Sequence, residues 1–163
     1  MFKLKAIQIH GFWQSRTAMA NLREDVNIII GKNGTGKTTF MNIAHAVLTV
    51  DLEALFDNAF QSVTLTLSDG KRTRTVRATR HELEISPFAI IEYHISNRKF
   101  SAPLIGGEDS RTVSPSIRRR AAEEAQKIKQ KLSSFVAVAS LSVYRIGGEI
   151  DPDFREQIGR AHV

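Results

Sequence analysis

Gly31-Lys32-Asn33-Gly34-Thr35-Gly36-Lys37-Thr38-Thr39 fits the spacing G-x-x-x-x-G-K-[ST]. Its flanks fit as well. Val26-Asn27-Ile28-Ile29-Ile30 before it reads as a short buried strand. After it, Phe40, Ile43, Ala44, Val47 and Leu48 recur at the spacing of one apolar helical face. Strand, glycine-rich turn and helix together make a phosphate-binding loop. A polyphosphate needs many donors at close range. Glycines at 31, 34 and 36 allow consecutive N–H groups to converge on an anion. The helix start adds the positive end of its dipole and its unpaired N–H groups. In this pattern Gly31, Asn33, Gly34, Thr35, Gly36, Lys37, Thr38 and Thr39 form the cradle. Lys37 reaches the β- and γ-phosphates, and the Thr38 hydroxyl is the expected Mg²⁺ ligand. The plainer alternative, a turn that merely joins strand to helix, leaves the Lys-Thr pair unexplained.

Working outward, Phe2 to Ile9 alternates apolar residues with lysines and reads as a strand. Gly11 to Ser15 is a turn, and Arg16 to Leu22 a weaker strand. Beyond the helix, Asp51 to Phe60 reads as a short helix or loop. Val63, Leu65 and Leu67 then alternate with threonines, and Ser68-Asp69-Gly70-Lys71 is a hairpin turn with Thr73 to Thr79 returning. Glu82 to Ile85 and Ala89 to Ile95 offer two more strands, separated by Pro87. Ser101 to Pro115, with its prolines and glycines, reads as a loop. Ser116 to Ser134 is a helix, and Phe135 to Val143 a continuously apolar strand of central, parallel type.

The chain has 163 residues, a hydrophobic content of 42% and no cysteine. That composition suits one globular domain and excludes disulfides, thiolate metal sites and cysteine nucleophiles. The five histidines show no metal-ligand spacing. No apolar run reaches the length of a membrane span, and the start lacks a signal pattern, so a cytoplasmic location is expected.

Antiparallel strands before a phosphate loop, and a β insertion after it, depart from a plain doubly wound sheet. The chain resembles the N-terminal lobe of an ABC-type ATPase head of the SMC, RecF and OLD-nuclease group. The likeness rests on Phe2-Lys3-Leu4-Lys5-Ala6-Ile7-Gln8-Ile9-His10-Gly11-Phe12, followed by Val26-Asn27-Ile28-Ile29-Ile30-Gly31-Lys32-Asn33-Gly34-Thr35-Gly36-Lys37-Thr38-Thr39. It is close over residues 1–48 and only architectural from 49 to 145. One residue departs from it: Trp13 stands where the family commonly carries arginine. Trp13 either stacks on a nucleobase or packs in the core. The resemblance implies an α/β P-loop NTPase lobe of the ABC-ATPase type, with an antiparallel β subdomain and an incomplete C-terminal part. It implies ATP and Mg²⁺ as ligands, with ATP hydrolysis by a head-to-head homodimer of the full-length protein, in DNA repair or phage defence.

Such heads also use an aspartate–glutamate pair ending an apolar strand and a signature Ser-Gly segment. Neither is found. Ala89-Ile90-Ile91-Glu92 comes nearest to the first, but it lacks the aspartate and reads as a strand glutamate. No Asn-Lys-x-Asp guanine-reading motif is present, which favours ATP over GTP. Ile158-Gly159-Arg160-Ala161-His162-Val163 is what a common sequencing adapter encodes, and the preceding adapter bases extend the match to Gln157. The expected organisation is therefore an N-terminal lobe over 1–157 and a non-native tail over 158–163.

The alternative function is a nucleic-acid-binding module. Lys71, Arg72, Arg74, Arg77 and Arg80 cluster around the hairpin, Arg118-Arg119-Arg120 opens the late helix, and the net charge is +6. A solvated face is the commoner meaning of such runs.

Overall fold

A computed structural model describes residues 1–82, 88–106 and 113–139. Its centre is a six-stranded, wholly antiparallel sheet. The strands are β1 (Lys3–Phe12), β2 (Arg16–Asn21), β3 (Ser62–Ser68), β4 (Thr73–His81), β5 (Ile90–Ile95) and β6 (Arg98–Pro103), in the order β2-β1-β3-β4-β5-β6. The helices are α1 (Lys37–Thr49), α2 (Leu52–Asp57) and α3 (Pro115–Ser133).

Period-two alternation sets the two faces of the sheet. Val63, Leu65 and Leu67 of β3 are fully buried, while Thr64 and Thr66 lie on the other face. Val76 and Ala78 of β4 and Ile91, Tyr93 and Ile95 of β5 continue the buried face. Phe40, Ile43, Ala44 and Val47 of α1 pack against it, as the helical spacing predicts. One covered face and one polar face is the usual economy of an antiparallel sheet. The Tyr93 hydroxyl donates to the Val47 carbonyl at 3.1 Å, which ties α1 to β5. Burial, and secondarily Asp51, pushes the Tyr93 phenol far above its ordinary value, so it stays a donor.

Three expectations need correction. The antiparallel strands before and after the loop form one sheet rather than a core plus a separate subdomain. Val26–Ile30 is not a strand, and it makes no backbone hydrogen bond to another described residue. Val26, Ile28 and Ile30 are 72%, 82% and 85% exposed. The reason is pairing: an apolar parallel strand acquires burial and hydrogen bonds from neighbours on both sides, and the sheet ends at β2. Phe135 to Ala139 is likewise no strand. Phe135 and Val136 instead close the core beside Phe2, whose N–H donates to the Phe135 carbonyl at 2.9 Å.

Smaller differences follow local chemistry. β1 runs on to Phe12, with a register shift at Gly11, whose φ of 70° brings it against Gln61. β6 occupies Ser101 to Pro103, part of the expected loop, because Ser96-Asn97 makes a two-residue hairpin from β5. Residues 83–85 of the Glu82–Ile85 strand, Pro87, residues 140–143 and the tail 158–163 lie outside the described residues.

Candidate functional site

α1 begins where the glycine-rich loop ends. Gly36 is its N-cap, with φ of 85°, and Gly34 has φ of 79°. Both values fall in the left-handed region that glycine alone enters without cost. No side chain caps the helix and no acidic residue stands in its first turn. The first-turn N–H groups therefore keep their donors and the unopposed positive end of the dipole. Phe40 N–H already donates to the Gly36 carbonyl at 2.8 Å, so the helix is wound from its first turn.

Lys37 lies across the loop. Its Nζ donates to the carbonyls of Gly31 at 2.6 Å and Lys32 at 2.7 Å, and approaches Thr35 Oγ1 at 3.5 Å. Thr35 Oγ1 in turn donates to the Lys32 carbonyl at 2.9 Å. The ammonium group thus sits among oxygen acceptors, which phosphate oxygens can replace without a change in its chemistry. Asn33, Gly34, Gly36, Lys37, Thr38 and Thr39 line a cavity of about 360 Å³, and Trp13 closes its rim. The expected residues converge there with two exceptions: Gly31 and Thr35 sit behind the rim and hold Lys37.

Trp13 is 42% exposed and stacks on Phe12, with ring centroids 5.3 Å apart and planes at 17°. The core-packing alternative for Trp13 is therefore not what the fold adopts. Phe12 is the buried ring, and it meets Phe40 of α1 edge-on at 6.5 Å. Sequence reasoning missed this support, although Phe12 at the strand end and Phe40 on the apolar helix face were its visible signals.

Glu92 lies on the polar face of the sheet, opposite the face that α1 covers, since its neighbours Ile91 and Tyr93 point into the core. Its carboxylate accepts from His94 Nε2 at 2.8 Å and pairs with Lys99 at 3.7 Å. The His94 hydrogen bond, with Lys99 adding to it, holds its pKa below the ordinary value of 4.5. Glu92 is a strand glutamate. Among the described residues no group of three or more His, Cys, Asp or Glu could hold a metal ion. A cation at the loop would depend on Thr38 and on the bound phosphates themselves.

The basic cluster is dispersed. Arg74 lies over the rings of Phe2 and Phe135, 5.0 Å from each centroid. Arg80 lies over Phe56 at 5.8 Å and donates to its carbonyl at 3.3 Å. Arg72 pairs with Asp69 at 3.3 Å. Of the arginines on β4, Arg77 is the exposed one, and Arg118, Arg119 and Arg120 are exposed on α3.

An apolar face of antiparallel strands is thus joined to a glycine-rich turn and a lysine-led helix. The model of the AAA ATPase domain family matches residues 2–145, and the chain belongs to that family. No curated protein matches it. No helix among the described residues is long and apolar enough to cross a membrane.

Proposed function

We propose that this chain binds ATP as its magnesium complex through Gly31, Asn33, Gly34, Thr35, Gly36, Lys37, Thr38 and Thr39. The single observation that carries the reading is the uncapped start of α1, opening with Lys37 and Thr38 onto a cavity of about 360 Å³. The backbone N–H groups take the phosphate oxygens, Lys37 neutralises the β- and γ-phosphates, and the Thr38 hydroxyl holds Mg²⁺. The metal supplies charge neutralisation between those phosphates. Resemblance to ABC-type heads of the SMC, RecF and OLD group supports the finer reading. In it, the full-length protein hydrolyses ATP as a head-to-head homodimer in the cytoplasm, in DNA repair or phage defence.

Calorimetry tests the binding. Lys37→Ala loses a charge-assisted contact of about 1.5–3 kcal/mol, which is roughly a ten- to hundredfold loss of Mg·ATP affinity. Arg77→Ala, remote on the polar face of the sheet, leaves affinity unchanged. Equal affinities in the two variants overturn the assignment.

DNA binding is the second reading, favoured by exposed Arg77 and by Arg118, Arg119 and Arg120. Its signature is retention that falls steeply with salt. Arg77→Glu reduces that retention with ATP affinity intact. Failure of the parent chain to retain DNA at low salt ends this reading.

A further inference from the structure

We infer that the cavity at the end of β4, centred on Arg80, is a site for a small zwitterion of the amino-acid class. Arg80 takes its carboxylate, and Asp57 and Glu82 take its ammonium group. The inference stands apart from the phosphate-loop reading, because the two cavities share no lining residue.

Strand alternation puts Arg80 in phase with Val76 and Ala78, the buried side of β4. A guanidinium there has to find acceptors, because burying its charge unpaired is costly. Arg80 is half-buried and poorly supplied with them. Its Nη1 donates to the Phe56 carbonyl at 3.3 Å, a long bond, and the group lies over the Phe56 ring at 5.8 Å. Its Nε is buried with no acceptor. Among the described residues no carboxylate forms an ion pair with it. A buried donor left unsatisfied marks a place where a partner adds stability.

Arg80 opens on a cavity of about 400 Å³ that Gln14, Asp57, Gln61 and Glu82 also line. Its walls are tied together. Arg80 N–H donates to the Gln61 carbonyl and Gln61 N–H to the His10 carbonyl, both at 2.9 Å. The Asn58 amide donates to the Ala54 carbonyl at 2.7 Å and holds the end of α2, where Asp57 stands. Two carboxylates thus share a cavity with a guanidinium that neither one pairs with. A molecule that carries both charges fits this separation: its carboxylate meets the guanidinium fork and its ammonium meets the acidic wall. A simple anion is opposed by Asp57 and Glu82, and a simple cation by Arg80. The long bond to Phe56 leaves the guanidinium able to turn toward a carboxylate, which then satisfies Nε. The amides of Gln14 and Gln61 both donate and accept, so they serve either end.

Calorimetric titration of the chain with L-alanine and with γ-aminobutyrate presents the two charges at short and long separation. Butyrate and butylammonium present one charge each. At least one zwitterion is expected to bind saturably, about tenfold or more tightly than either single-charge probe. Asp57→Asn combined with Glu82→Gln changes two exposed side chains and should keep the unfolding midpoint. That variant should lose roughly tenfold in zwitterion affinity and approach the affinity for butyrate. Arg80→Lys keeps the charge, removes the fork and should lose a similar factor; if it fails to fold, the carboxylate variant decides. Failure of both zwitterions to bind the parent chain overturns the inference. So does butyrate binding as tightly as they do, which makes the cavity a plain anion site, and so does unchanged zwitterion affinity in the folded carboxylate variant.

Discussion

Gly36 and Arg74 show how a residue's role depends on what surrounds it. At Gly36 any side chain meets Phe12 and Trp13 within 3.0 Å, and the φ of 85° adds strain. Gly36→Ala should cost about 1–2 kcal/mol of stability and weaken Mg·ATP binding, since the rings and the loop cannot both keep their places. Denaturant unfolding and calorimetry on the same variant check the two effects. Arg74 and Arg77 sit three residues apart on one strand and face opposite ways. Arg74→Ala removes a guanidinium shared by two rings and should destabilise by about 1–2 kcal/mol, while Arg77→Ala should be close to neutral. Equal unfolding midpoints for these two variants would contradict the stacked geometry.

Among the elements, the β5–β6 hairpin and the segment before the loop carry the clearest expectations. On the hairpin, hydrogen bonding from His94, with the Lys99 and His81 charges nearby, keeps Glu92 below its ordinary pKa. A carboxylate lowered in the folded state stabilises above its unfolded pKa, and that contribution disappears as pH falls through the folded value. Wild type should therefore lose more stability between neutral pH and about pH 3 than Glu92→Gln does, measured by denaturant midpoints. The segment Val26–Ile30 exposes four large apolar side chains, Val26, Ile28, Ile29 and Ile30, and no described strand pairs with it. Such a strip templates association with other chains. Light scattering should show concentration-dependent self-association that Ile28→Asp and Ile30→Asp suppress, with the circular dichroism of the sheet and α1 retained.

For the whole molecule, binding and hydrolysis make separate demands. On the proposed reading the loop would compensate ground-state charge, while in-line attack also needs an oriented water. No carboxylate lines the phosphate cavity among the described residues, and Glu92 is on the far face of the sheet. A missing proton acceptor typically costs about 10²–10⁴ in rate. Residues 1–163 should release phosphate from ATP at background rates even when saturated. Lys37-dependent turnover by this chain would show that a water-positioning group is present after all.

Periodicities that one element satisfies by itself were legible in the sequence. The amphipathic stripe of α1, the alternation of β3 and β4 with the Asp69-Gly70 turn between them, and the glycine spacing of the loop are all local, and each appears where its residues predict it. The glycine positions and the helix start also mark the candidate cradle in the sequence, although Gly31 and Thr35 do not line the cavity. Tertiary structure alone decided the rest. Val26–Ile30 has the composition of a buried strand, but composition cannot supply the neighbour that would bury it. The arginines of β4 read as one basic cluster until pleating sends Arg74 to Phe2 and Phe135 and Arg77 to solvent. For Trp13 the sequence left two alternatives, stacking on a nucleobase or packing in the core. The left-handed turn after Phe12 settled which ring is buried and which one borders the phosphate loop.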